Sequence, residues 1–238
     1  MSAPTVIRAA DGEAVATRAA RLIGELLEAT LTARGRVHLA LAGGTTPAGA
    51  YAQLAPASWS GVELWFGDER CVGPDDPESN YRMVAKTLLP HASGALTHRI
   101  EGELGAQSAA AAYDTLLRAR VPSDGGPLPV LDIVLLGIGE DGHTASLFPH
   151  NAALSLHGAA CVPVHDAPKP PPERVSLSLD VLRAARSTIL LATGSGKADA
   201  LARALAEPDP AVPSSLLERA RLTVIADHAA LALAEPHA

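Results

Sequence analysis

Short apolar runs in this chain stop at glycine turns, and stretches of helical spacing lie between them. Residues 36–42 end at Gly43-Gly44, residues 62–66 at Gly67, residues 131–136 at Gly137, and residues 188–192 shortly before Gly194. Short continuous apolar runs suit strands buried on both faces. Strands that alternate with helices imply a mostly parallel sheet with helices on both faces, a three-layer α/β fold. Helical spacing covers residues 12–32, where Val15, Ala19, Leu22, Ile23, Leu26 and Leu27 share a face. Further helices are expected from the 43–47 turn to residue 54, from a Ser79 cap to residue 89, over 107–120, from 194 to 206, and over 213–220. Short strands are expected at 161–164 and 174–179, around the proline loop 168–172, and a last strand at 222–226 with a tail after it. Loops cover 74–77 and 122–129. With no internal repeat and no low-complexity linker, residues 1–238 read as one domain.

Hydrophobic residues make up 47% of the chain and aromatics 3%, so the core is expected to be built from Ala, Leu and Val. The net charge of -7 argues against nucleic acid or an anionic membrane as partner, while leaving room for a small anionic substrate. Cys71 and Cys161 are too few for a disulfide framework or a zinc cluster. There is no membrane-length apolar run and no signal-peptide pattern, so a cytoplasmic protein is expected. No metal site is expected, because H-E-x-x-H and C-x-x-C are missing. A G-x-S-x-G elbow is missing too, which speaks against a serine hydrolase.

The chemistry-bearing residues gather where strands end, and open parallel sheets bind ligands outside the carboxyl ends of their strands. Past 131–136 come Asp141 and His143, a carboxylate and an imidazole suited to acid–base work. After 36–42, Gly43, Gly44 and Thr45 allow close backbone approach to an anion. Thr46 is placed to cap the next helix, with Pro47 at its first position. After 62–66 stand Asp68, Glu69 and Arg70, and the Arg70 fork could grip an oxyanion or a phosphate. Arg174 stands where the proline loop enters a strand. Lys197 lies in the first turn of a helix, where the dipole disfavours a cation unless an anion binds there as well. Each feature also has a plainer reading: a tight turn, a solvated ion pair, a structural histidine or a surface charge.

Residues 137–142 fit G-x-G-x-x-G, yet Pro149 follows too soon for a long crossover helix. No acidic residue lies where a ribose would need one, so a dinucleotide site is set aside. Residues 191–198 are not a Walker A loop, with Leu191 and Ala198 in the wrong places.

Taken in order, LALAGGTTP, WFGDERCVGPDDPESNY, LLGIGEDGHTASLFP, APKPPPERVSLS and ATGSGK resemble the 6-phosphogluconolactonase family. That family belongs to a wider group with the glucosamine-6-phosphate deaminases. The deaminases carry Asn-Glu-Pro a few residues past the His, where this chain has Ser146-Leu147-Phe148-Pro149. The resemblance implies a Rossmann-like fold and hydrolysis of 6-phospho-D-glucono-1,5-lactone to 6-phosphogluconate, a step of the pentose phosphate pathway. It implies no cofactor, and a monomer is expected. His143 would be the base that activates water, Asp141 its partner, and Arg70 a catalytic or phosphate-binding cation. Gly43, Gly44, Thr45, Thr46, Asp68, Arg174 and Lys197 would bind the substrate and its phosphate. The competing classes are a non-catalytic sugar-phosphate-binding module and the dinucleotide-dependent oxidoreductase set aside above.

Overall fold

The computed structural model describes residues 3–234. In chain order they form β1 (Thr5–Ala9), α1 (Gly12–Arg34), β2 (Val37–Leu41), α2 (Thr45–Tyr51), β3 (Val62–Phe66), β4 (Asp68–Arg70), α3 (Asn80–Thr87) and β5 (Leu96–Thr97). There follow α4 (Ala106–Arg120), β6 (Ile133–Gly137), β7 (Cys161–Val164), β8 (Arg174–Leu177), α5 (Leu179–Ala184), β9 (Ser187–Ala192), α6 (Ala198–Leu205) and β10 (Leu222–Asp227).

Seven strands form one sheet in the order β1-β10-β9-β6-β2-β3-β5, and every neighbouring pair runs parallel. β2 and β3 are buried at every position, and β6 at all but Gly137. Such strands are covered on both faces, which is why they read as apolar runs interrupted only by the buried His38 and Glu63. Each fully buried aliphatic or Phe side chain contributes about 1.5–3 kcal/mol. The strand bodies are therefore fixed, and the turns beyond their ends are free to carry chemistry.

α1 shows how locally the sequence sets its helices. Asp11 caps it by accepting from the Ala14 N–H, and Gly35 closes it in the left-handed conformation. Val15, Ala19, Ile23 and Leu27 bury one face, which packs on α2 and β10. The helix ends at the glycine, two residues beyond the expected 32.

The strand order reverses between β2 and β6: the chain runs outward from β2 through β3 to β5, then returns to β2's other side. The crevice outside the carboxyl ends at such a reversal is where open α/β sheets hold ligands. The turns at 43–44 and 138–143 lie at those two ends.

A second, antiparallel sheet, β4-β8-β7, stands beside this crevice. Residues 68–70, read from the sequence as a charged triplet following the 62–66 strand, form one of its strands. Gly67 joins the sheets: its N–H donates to Leu41 O at 2.8 Å and its O accepts from the Leu177 N–H at 2.8 Å. Other expectations also change. α2 stops at Tyr51, whose hydroxyl turns back to the Ala42 N–H and C=O. Residues 213–220 form two 3-10 turns, Pro213–Leu216 and Arg219–Arg221, and no α-helix. β1, β5 and α5 were not expected from the sequence.

Candidate active site

The turn after β6 is closed by its own backbone. The Gly139 N–H donates to His143 O at 2.8 Å, and the Gly142 N–H to Gly139 O at 3.0 Å. Thr144 Oγ1 donates to Gly137 O at 2.9 Å. This folding brings His143 Nδ1 to 2.5 Å from Asp141 Oδ1, and the His143 backbone N–H donates to the same oxygen at 3.2 Å. An ionised carboxylate only accepts, so Nδ1 carries the proton and Nε2 presents its lone pair. Burial works against the Asp141 charge, but the His143 hydrogen bond and charge outweigh it and bring the carboxyl down to about 2. Position 139 has to be glycine: a Cβ there would overlap the His143 ring and Asp141 Oδ1.

His143 lines a cavity of about 190 Å³ between the ends of β2 and β6. Gly43 and Gly44 form one wall, Gly137, Ile138 and Ala145 another, and Asp68, Arg70, Asn80 and Arg174 the polar remainder. Gly43 has no room for a side chain, because a Cβ would overlap the Asn80 carboxamide. A larger hollow of about 740 Å³ runs along α1, lined by Ile7, Asp11, Thr17, Arg18, Arg21 and Glu25. The smaller cavity is the better candidate, since it joins an acid–base pair to Arg174, which is buried, and Arg70, which is partly buried.

Arg70 and Arg174 are directly opposed in the antiparallel β4–β8 ladder. Arg174 is 5% exposed. Its Nε and Nη2 donate to the Pro171 and Lys169 carbonyls at 3.0 and 2.9 Å, so the proline loop holds it by backbone contacts. Burial first, and then the Arg70 charge, lower its pKa from the ordinary guanidinium value. Phe148 lies between functional groups: its ring is 5.4 Å from Arg174 Cζ and 4.4 Å from the His143 ring. Arg70 Nη1 donates to Glu78 O, while its Nε is buried with no partner among the described residues. A buried donor left unpaired is costly, and a ligand oxygen would satisfy it.

Asp68 is 7% exposed. One carboxylate oxygen accepts from Asn80 Nδ2 at 3.1 Å, the other from Ser146 Oγ at 2.6 Å. Its neighbour Glu69 points away and accepts from the Arg70, Asn80 and Tyr81 N–H groups and the Ser79 hydroxyl. Burial raises the Glu69 pKa against these bonds. Glu69 thus holds the start of α3, which Ser79 caps as expected, by accepting from the Arg82 N–H.

Thr45, Thr46 and Lys197 stand outside the cavity wall. Thr46 does not cap α2; Gly44 occupies that position, and the Thr46 hydroxyl bonds Thr193 Oγ1 at 2.8 Å. The helix starts at Thr45 because the glycine already makes the turn, which leaves Thr46 inside. That bond ties the turn after β2 to the turn after β9. Lys197 ends a 3-10 turn, Ser195–Lys197, and is the residue preceding α6. Asp227, at the end of β10, accepts from the Gly194 N–H and fixes this loop.

A family model described as glucosamine-6-phosphate isomerases/6-phosphogluconolactonase matches residues 10–226. The chain belongs to this family. Among curated members, a 6-phosphogluconolactonase of Mycobacterium tuberculosis is 38% identical over 213 residues, 84% of this chain and 85% of that one. A 6-phosphogluconolactonase of Rattus norvegicus is 39% identical over 230 residues, covering 91% and 84%. The solved 6-phosphogluconolactonase of Trypanosoma cruzi superposes with a TM-score of 0.87 at 28% identity, covering 100% of this chain and 99% of that one.

The matched residues take in the turns after β2, β3, β6 and β9. Three residues of the site were not singled out from the sequence: Asn80, Ser146 and Phe148. Ser146 and Phe148 lie inside the segment that carries Asp141 and His143, and Asn80 follows the Ser79 cap, so adjacency was the available signal. Asp227 gave none, since a carboxylate at the end of a strand looks like the start of a loop. No helix is long and apolar enough to cross a membrane, and no three His, Cys, Asp or Glu side chains cluster as a metal site, among the described residues.

Proposed function

We propose that this protein hydrolyses 6-phospho-D-glucono-1,5-lactone to 6-phosphogluconate, with His143 as the base that activates water. The observation that carries the reading is the 2.5 Å contact of His143 Nδ1 with Asp141 in the wall of a cavity that also holds Arg70 and Arg174. With Nδ1 protonated, Nε2 is free to take a proton from water. The water oxygen bonds to the lactone carbonyl carbon, and Asp141 stabilises the imidazolium that results. As the tetrahedral centre collapses, the bond to the ring oxygen breaks and His143 returns its proton there. A lactone is an activated ester, so an aligned base and a stabilised oxyanion suffice.

The phosphate rests on the Gly44–Thr45 turn, with Thr46, Arg174 and Lys197 around it. The backbone N–H groups that open α2 have no helical partner of their own. Holding this remote group fixes the carbonyl against His143. Arg70 adds a donor for the phosphate or for the carbonyl oxygen. Asp68 is an anion and suits sugar hydroxyls, not phosphate.

The deaminase alternative has less support. Where it needs a carboxylate, this chain places Ser146, Leu147 and Phe148, all buried. The test is to generate the lactone in situ from glucose 6-phosphate with a dehydrogenase, and separately to offer glucosamine 6-phosphate. Accelerated lactone loss without ammonia release is expected; ammonia release without lactone loss would reverse the assignment.

A further inference from the structure

Ser146 has no part in the mechanism above, yet it joins the two halves of the site. It is 0% exposed. Its hydroxyl donates to Asp68 Oδ2 at 2.6 Å, and its backbone N–H donates to Ser176 Oγ at 3.3 Å. The residue before it, Ala145, lines the cavity with φ 48°, a left-handed backbone that L residues seldom adopt. Such strain persists where surrounding bonds over-determine the chain. The Ser146 hydroxyl is one of those bonds, and it links the His143 turn to β4 across 78 residues. A carboxylate offers about four acceptor sites. Ser146 and Asn80 use one on each Asp68 oxygen, so capacity remains for donors entering the cavity.

We propose that Ser146 is a positioning residue: it holds Asp68 as the acceptor for a ring hydroxyl of the substrate and sets the distance from that hydroxyl to His143. The proposal rests on the lactonase reading. A sugar ring gripped by its phosphate alone can still rotate about that end. A second fixed contact, hydrogen-bonded to a residue three positions from the base in the chain, removes the freedom that would misplace the carbonyl. Without the Ser146 donor the Asp68 carboxylate is held from one side by Asn80 and can swing, and a displacement of about 1 Å is enough to slow a reaction by roughly a hundredfold.

The test is a double-mutant cycle read as kcat/KM for lactone hydrolysis, with Ser146→Ala, Asp68→Asn and both together. Ser146→Ala is expected to lose roughly ten- to a hundredfold, and the double variant to be no slower than Asp68→Asn alone. Penalties that multiply would mean Ser146 acts independently of Asp68, as plain structural glue, and would overturn the proposal. Ser146→Ala at the wild-type rate would overturn it too. Cooperative thermal unfolding establishes that each variant is folded. Should Ser146→Ala fail to fold, Ser146→Cys, close in size but a weak donor, takes its place in the cycle with the same expected outcome. Wild-type protein that does not hydrolyse the lactone would overturn the underlying activity and this inference with it. An active wild type beside an unaffected Ser146 variant overturns only this inference.

Discussion

Arg70 and Arg174 face each other as cross-strand partners in the β4–β8 ladder, two like charges where a sheet ordinarily places a complementary pair. Like charges opposite one another destabilise a sheet, so the arrangement makes physical sense when an anion lies between or beside them. Arg70→Gln should therefore keep or slightly raise the melting temperature of the free protein while weakening catalysis. The kinetic split assigns the role. A fall in kcat places Arg70 on the carbonyl oxygen, and a rise in KM at constant kcat places it on the phosphate. Unchanged kcat and KM would remove Arg70 from the site.

Asp141 should matter through the tautomer it selects. Asp141→Asn keeps the size of the side chain but can offer an N–H to Nδ1, which favours the proton on Nε2 and blocks the base. A loss in kcat of roughly 10²–10⁴-fold is expected, with little change in KM. The same substitution has an acid-side signature. Because the folded carboxyl lies near 2 and an unfolded Asp near ~3.9, its contribution is present above the unfolded value. It is lost as pH falls through the folded one. Acid unfolding of Asp141→Asn should lack that increment, which is small because the side chain is partly exposed. Unfolding curves between pH 5 and 2, in steps of about half a unit, would show it.

A second titration lies at the opposite end of the sheet. Trp65 Nε1 donates to His38 Nδ1 at 3.2 Å, so His38 is held neutral. Burial lowers its pKa, against the Glu63 and Asp132 charges, with Arg36 and His98 adding to the lowering. A base depressed in the fold binds its proton more readily when unfolded. Stability is thus fully present above about pH 6.5 and declines as pH falls below it. The decline reaches at most about 1.4 kcal/mol per pH unit for one proton. His38→Gln, whose carbonyl can still accept from Trp65, should flatten the slope of denaturant stability between about pH 6.5 and 5. Equal slopes in the two proteins would show that His38 is not the group responsible.

The strand ends of β2, β3, β6 and β9 were legible because burial on both faces leaves a mostly apolar run, and a glycine follows at or soon after its end. Asp141 and His143 could be paired from sequence, being two residues apart in one turn. The opposition of Arg70 and Arg174 could not, since it depends on an antiparallel pairing between segments about a hundred residues apart. The same holds for the Asp68–Ser146 bond. Thr46 was misread because a threonine before a proline looks like a cap, while the preceding Gly44 takes that position in the fold. β1 is a partly exposed edge strand whose Thr-Val-Ile-Arg-Ala carries no unbroken apolar run, so its pairing with β10 had no local signal.

In the proposed reaction His143 activates the attacking water. The most direct measurement follows disappearance of the lactone, made in situ from glucose 6-phosphate, with wild-type protein and with folded His143→Ala. Wild type should accelerate ring opening, and the variant should fall by roughly 10²-fold or more toward the spontaneous rate. Equal acceleration by both proteins would contradict the account and move the base elsewhere in the cavity.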